Sequence, residues 1–201
     1  MLQEYGETLD AAEIIIFAST EEWVAWLASN FELEDGVWVK IAKKGSGKRS
    51  ITIAEALDGA LCYGWIDSQR KSCDAEYYLQ RYSPRRAKGS WSKVNVDKVE
   101  VLIEAGRMRE PGFAAIAAAK ADGRWDAAYL SQRVATVPDD LAEALAGDVV
   151  AGEVFEGLDR TGRYGVLLRL MKAKTPARRA VLVEQIVEGL RGGGAGEPVA
   201  G

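Results

Sequence analysis

No histidine occurs among the 201 residues, and only two cysteines and five prolines do. Without an imidazole there is no Ser-His-Asp triad, no Cys-His dyad, no His-Glu-x-x-His zinc site and no imidazole proton shuttle. Two cysteines are also too few for the common structural zinc sites. Long apolar runs are missing as well. Ile14-Ile-Ile-Phe17 is too short for a signal-peptide core or a membrane span, and Met1-Leu-Gln-Glu-Tyr-Gly-Glu7 offers no basic segment ahead of it. These absences point to a soluble, cytoplasmic protein without a membrane span, a metal or a cofactor. In a reducing compartment both cysteines stay thiols. Cys62, within Ala60-Leu61-Cys62, reads as a small core hydrophobe, and Cys73 lies in a polar stretch beside Asp74.

What is present suffices for a packed core. Hydrophobic residues make up 48% and charged residues 28%, which excludes global disorder. The net charge of −4 hides a segregation. Residues 1–36 carry nine acids and no base; residues 37–98 carry 13 bases against six acids; residues 99–201 carry 13 bases against 15 acids. Such blocks are a cue to partners.

The chain begins with strand-like patterns. Ile14–Phe17 reads as a short buried strand, and Ser19-Thr-Glu-Glu22 has capping-box spacing before Trp23, Trp26 and Leu27. Val37–Ile41 reads as a strand, and Thr52-Ile-Ala-Glu55 opens a helix with Ala56, Leu57, Ala60 and Leu61 on one face. Residues 64–71 and 76–82 then predict two strands joined at Ser72-Cys-Asp-Ala75. Alternation puts Tyr78, Gln80 and Tyr82 on one face and Tyr77, Leu79 and Arg81 on the other. From Ser92 onward the pattern is helical. Starts are expected at Ser92, Pro111 (with a Phe113, Ile116, Ala117 stripe), Pro138, Val149, Arg163 and Pro176. The expected fold class is α+β, with a small, mostly antiparallel sheet and packed helices followed by an all-helical C-terminal half. Residues 1–90 would form the α+β part. Residues 91–191 would form a helical part packed as one unit with it, and residues 192–201 a flexible, glycine-rich tail.

Two stretches carry chemistry. Gly45-Ser-Gly-Lys48 lies between a strand and a helix, as in a phosphate-binding loop. It departs from the motif at Ala42, where the first glycine belongs, and at Arg49, where Ser or Thr would reach magnesium. A solvated basic turn is the simpler reading. The denser constellation combines Trp65, Asp67, Arg70, Lys71, Arg81, Tyr82, Arg85, Arg86, Trp91 and Ser92. Guanidinium groups bind carboxylate or phosphate in bidentate fashion, and aromatic faces stack on ligands or on arginine itself. The expected roles are Arg81, Arg85 and Arg86 as anion donors, Trp65 and Trp91 as walls, and Asp67 as an orienting carboxylate. The bland alternative is that the tryptophans are core and the bases a solvated rim. A pI of 5.1 weighs against nonspecific nucleic-acid binding. The acidic first block is a solvated face or an attractor for a cationic partner, and Arg178-Arg179 reads as ordinary surface charge.

Several stretches resemble one bacterial family. They are Phe17-Ala-Ser-Thr-Glu-Glu-Trp23, Trp38-Val-Lys-Ile-Ala-Lys-Lys44, residues 55–67, Tyr82-Ser-Pro-Arg-Arg86 and Trp91-Ser-Lys-Val-Asn95. Ala119–Asp126, Val137-Pro-Asp-Asp-Leu141 and Arg163-Tyr-Gly-Val-Leu-Leu-Arg169 follow in order. Together they resemble the YdeI/OmpD-associated, or bacteriocin-protection, family. The resemblance implies association with an outer-membrane porin and protection against bacteriocins or cationic antimicrobial peptides. It brings no catalytic residues to transfer. Family descriptions point to the periplasm, whereas the start of this chain lacks an export signal, so an intracellular stress-related role is expected. The expected function is a non-catalytic protein that binds an anionic small molecule or peptide through the basic-aromatic surface, with a protein partner also compatible. An enzyme acting on a phosphorylated or carboxylated small molecule through Asp67 or Tyr82, and a binder of cationic peptides, are the competing readings.

Overall fold

A computed structural model describes residues 8, 9 and 12–192. The expectation of a flexible tail therefore falls, beyond Gly192, outside the described residues. The chain divides into two compact units, Met1–Gly89 with Asn95–Trp125, and Ser90–Val94 with Asp126–Gly201.

The first unit is built on a five-stranded mixed sheet. Its strands are β1 (Thr8–Leu9), β2 (Ala12–Ile15), β3 (Val37–Ala42), β4 (Trp65–Ser72) and β5 (Tyr77–Pro84), in the order β1-β2-β3-β5-β4. Only β2 and β3 run parallel; the other neighbours are antiparallel. The first predicted strand begins earlier than its β-branched run suggests. Parallel pairing of Glu13, Ile14 and Ile15 with Val37, Trp38 and Val39 fixes β2, and Ile16 falls outside it, exposed.

Helices α1 (Thr20–Asn30) and α2 (Ile53–Cys62) start where the sequence signals place them. The Ser19 hydroxyl accepts from the Glu22 amide. Around α2 the capping box is complete: Thr52 Oγ1 accepts from the Glu55 amide, and Glu55 Oε2 accepts from the Thr52 amide at 2.7 Å. Trp23 of α1 contacts Tyr82 of β5 with ring centroids 5.7 Å apart, so α1 covers the sheet face that carries Val37, Val39 and Ile41 of β3 and Tyr82 of β5. Phe17, Trp26 and Trp65 complete this aromatic core.

Helices α3 (Lys93–Glu104) and α4 (Glu110–Ala121) follow; from Asn95 onward they belong to this first unit. On α4 the buried residues are Gly112, Ile116 and Ala119. The predicted stripe is corrected at Phe113 and Ala117, which are exposed. Gly112 faces inward because a Cβ there would lie 2.3 Å from the Cys62 carbonyl oxygen, so only glycine permits the approach to the end of α2.

The second unit contains α5 (Asp139–Ala146), α6 (Val149–Gly157), α7 (Arg160–Met171) and α8 (Pro176–Arg191). Asp148, Asp159 and Thr175 cap α6, α7 and α8 through their side chains. The core joins Leu141 and Leu145 to Phe155, Leu170, Ile186 and Leu190. Arg179 is more than surface charge: it grips Asp140 with two nitrogens, at 2.6 and 2.9 Å, and donates to the Leu170 carbonyl.

Candidate functional site

The hairpin β4–β5 carries most of the candidate residues, and its turn is locally determined. Asp74 Oδ1 accepts from the amides of Glu76 and Tyr77 at 2.8 and 2.7 Å. Those two backbone donors, with Lys40 beside the carboxylate, hold Asp74 down at about 2. Lys40 pairs with Asp74 at 3.4 Å, and Lys43 donates to the Asp74 carbonyl oxygen. The basic glycine loop is a turn, with Gly45 and Gly47 at positive φ, Ser46 donating to the Lys43 carbonyl and Lys48 paired with Glu76.

A β-bulge interrupts β4. Asp67 pairs with Tyr82, the next aligned pair is Arg70 with Gln80, and Lys71 then faces Leu79. Gln80, buried, fastens the bulge by donating to the Gln69 carbonyl and accepting from Arg70 Nε, each at 3.0 Å. Arg70 lies over the Tyr78 ring at 4.8 Å.

The register consequently sorts the candidates by face. Asp67, Arg70 and Tyr82 share the face covered by α1. Lys71 and Arg81 belong to the opposite face with Trp38, Lys40, Leu79 and Tyr77. On that face, where Trp38 is itself fully buried and the three cations half-buried, Lys71 Nζ is 5.0 Å and the Arg81 guanidinium carbon 5.8 Å from the Trp38 ring centroid, while Lys40 lies 4.7 Å from that of Tyr77. Ala12, Trp38 and Leu79, with Ile14, form a small apolar cluster beneath the cations. Arg81 also donates to the Asp35 carbonyl at 2.8 Å.

Trp65 is fully buried, its indole N–H donating to the Phe31 carbonyl at 2.8 Å, so its ring belongs to the aromatic core. Tyr82 is fully buried as well. Burial, reinforced by the Asp67 and Tyr78 charges, pushes its phenol far above the ordinary range. Arg85 is half-buried, and its amide donates to the Gly64 carbonyl; Arg86 is exposed. Trp91, buried, and Ser92 belong to the second unit, where residues 91–93 bond to Tyr129 on both of its backbone groups. The ten candidates are thus divided between two sheet faces and two units. Trp38 and Lys40 were missing from them, although alternation within Val37-Trp-Val-Lys-Ile41 already sets both apart from the three aliphatic residues.

A cleft of about 180 Å³ in the first unit, bordered by Cys62, Tyr63, Arg107 and Arg109, is below the usual size for a small-molecule site. Among the described residues no group of three carboxylates or thiols comes together as metal ligands, and no helix is long and apolar enough to cross a membrane.

Comparison with known families gives two matches that divide the chain much as the units do. The family model described as Domain of unknown function (DUF8412) matches residues 15–115. The model described as Bacteriocin-protection, YdeI or OmpD-Associated matches residues 134–193. The resemblance read from the sequence therefore holds over the helical C-terminal part; of the similar stretches before it, those from Phe17 to Asn95 fall in the first match and Ala119–Asp126 lies in neither. Neither the curated proteins nor the solved structures provide a match.

Proposed function

The chain belongs to the family described as Domain of unknown function (DUF8412), and from that premise we propose that it is a non-catalytic binding protein. It holds an anionic small molecule or peptide carboxylate at the half-buried cations on the sheet face opposite α1. The observation that carries this reading is the convergence of Lys71 and Arg81 on the Trp38 ring, with Lys40 alongside. Cations held over a ring are positioned before a ligand arrives, so less side-chain freedom is lost on binding. Trp65 and Tyr82 support the strands from the covered face. An enzyme using Tyr82 is disfavoured, because a buried phenol raised far above its ordinary range neither gives up its proton readily nor meets substrate. With its C-terminal region of the bacteriocin-protection type, the bound anion would serve in protection against bacteriocins or related antimicrobial stress.

A thermal-shift screen against nucleotides, sugar phosphates and acidic dipeptides tests the reading. A stabilising ligand whose shift disappears in Lys71→Ala and Arg81→Ala, but persists in Arg133→Ala, supports it. A shift unchanged in both sheet variants, or none with any of these anions, removes it.

A further inference from the structure

The second unit contains a larger opening that the sequence motifs did not mark. It is a cleft of about 530 Å³ within the range of small-molecule sites, and three of its walls are arginines: Arg133, Arg160 and Arg163. Gln132, Thr136 and Tyr164 add polar groups, and among the described residues no carboxylate lines it. Val137, Leu158 and Leu167 supply an apolar wall.

The arginines differ in how they are held. Arg163 is fixed. Its Nε donates to the Leu158 carbonyl at 3.1 Å, Nη2 reaches both the carbonyl and the carboxylate of Glu156, and its guanidinium lies 5.8 Å from the centre of the Phe155 ring. Arg133 and Arg160 are exposed, and neither has an ion-pair partner among the described residues.

Their position matters. Arg160 is the first residue of α7 and Arg163 the fourth, and the first turn contains no acid. Cations there oppose the helix macrodipole, which favours negative charge at an N-terminus. The Asp159 carboxylate already caps this end through the Gly162 amide, and Arg163 is held by Leu158 and Glu156, so Arg133 and Arg160 are the cations that an incoming anion would pair.

We propose that this cleft binds an organic anion, a carboxylate or phosphate ester joined to a compact apolar body. Arg133 and Arg160 engage the charged end, Arg163 shapes the wall, and Leu158 and Leu167 cover the apolar part. Guanidinium pairs suit both oxyanions because either presents two oxygens to the planar fork. A wholly polar anion would leave the apolar wall without a partner, and a neutral ligand would gain nothing from the two exposed guanidinium groups.

The test is titration of the full chain with 2-naphthoate, 1-naphthyl phosphate and the neutral 2-naphthalenemethanol, followed by ligand fluorescence and calorimetry. Both anions are expected to bind at least tenfold more tightly than the alcohol. The double variant Arg133→Ala/Arg160→Ala is expected to lose at least tenfold toward the anions while melting like the parent. Lys71→Ala/Arg81→Ala should bind them within about twofold of the parent, which separates this cleft from the sheet surface. Preference for one anion identifies the oxyanion within the proposed class. Equal binding of the alcohol, an unaffected Arg133/Arg160 variant, an equal loss in the Lys71/Arg81 variant, or no binding up to millimolar concentration each overturns the proposal.

Discussion

Asp67 and Tyr82 stand opposite each other across the β4–β5 ladder, yet the Tyr82 hydroxyl, fully buried, has no hydrogen-bond partner among the described residues. A desolvated hydroxyl without a partner costs about 1–3 kcal/mol, so removing it should help the fold. Tyr82→Phe keeps the ring against Trp23 and is expected to raise stability by about 1 kcal/mol. The urea midpoint at unchanged m-value measures this. A lower midpoint would show that the hydroxyl has a stabilising contact after all.

Gly59 and Gly189 both lie within helices and should respond to alanine with opposite signs. A Cβ on Gly59 would be 2.7 Å from the Trp23 ring, whereas one on Gly189 would have nothing within 4 Å. Trp23 cannot yield easily, because its indole N–H donates to the Ala56 carbonyl at 3.0 Å. Gly59→Ala is expected to destabilise by about 1–3 kcal/mol despite the better helix propensity of alanine. Gly189→Ala is expected to stabilise by about 0.5–1 kcal/mol. Thermal melts of the two variants decide the matter.

The two thiols should react on different timescales. Cys73 is exposed and donates to Asp74 Oδ2 at 3.5 Å; Cys62 is buried at the end of α2. Burial raises the Cys62 thiol above its ordinary range against the opposing pull of Arg107 and Arg109, so it presents little thiolate. A disulfide reagent at neutral pH should label one thiol promptly and the second only at the rate of unfolding. The Cys73→Ser variant should then show the slow phase alone.

The pair between Asp140 and Arg179 makes part of the stability of the helical unit depend on pH. The Arg179 guanidinium bonded to Asp140 holds its carboxyl below the usual carboxylate range. A depressed folded pKa means the carboxylate form is favoured by folding. The contribution is fully present above the unfolded value of about 3.9 and is lost as pH falls through the folded one. Asp140→Asn should therefore cost about 1 kcal/mol at pH 7, a modest figure because both partners are partly exposed. The gap to the parent should begin to narrow below about pH 4 and shrink further as pH falls toward the folded value. Denaturant midpoints at pH 7 and pH 3 test this, and a constant gap would count against it.

Local rules carried much of the architecture. Thr52-Ile-Ala-Glu55 became a complete capping box because its partners lie within one turn. Alternation along β5 correctly separated Tyr82, Gln80 and Tyr78 from Arg81, Leu79 and Tyr77 because a strand has a period of two. The same rule failed in β4. Strict alternation would place Lys71 on the face of Asp67, but the bulge between Asp67 and Arg70 transfers it to the other side, where it meets Trp38. What holds that bulge is Gln80, a residue from the neighbouring strand that no local pattern in β4 reveals.

The arginine cleft was illegible for a related reason. Arg133 precedes α5, and Arg160 and Arg163 lie about thirty residues later in α7, so their meeting depends on how the helices of that unit pack around Leu167 and Phe155. Only the oddity of bases in the first turn of α7 was available as a local hint.

By itself the sequence determined which chemistry is missing and where the side-chain-capped helices α1, α2 and α8 start, whereas β2 begins at Ala12 instead of Ile14 and α7 at Arg160 instead of Arg163. A chain without histidine cannot run imidazole catalysis, and caps and turns act over three or four residues. It also located the positive charge in residues 37–98. Only the tertiary structure decided which cations share a surface. That outcome rests on strand order, on one bulge and on the face α1 covers, all long-range consequences of burying Trp23, Trp65 and Tyr82 together.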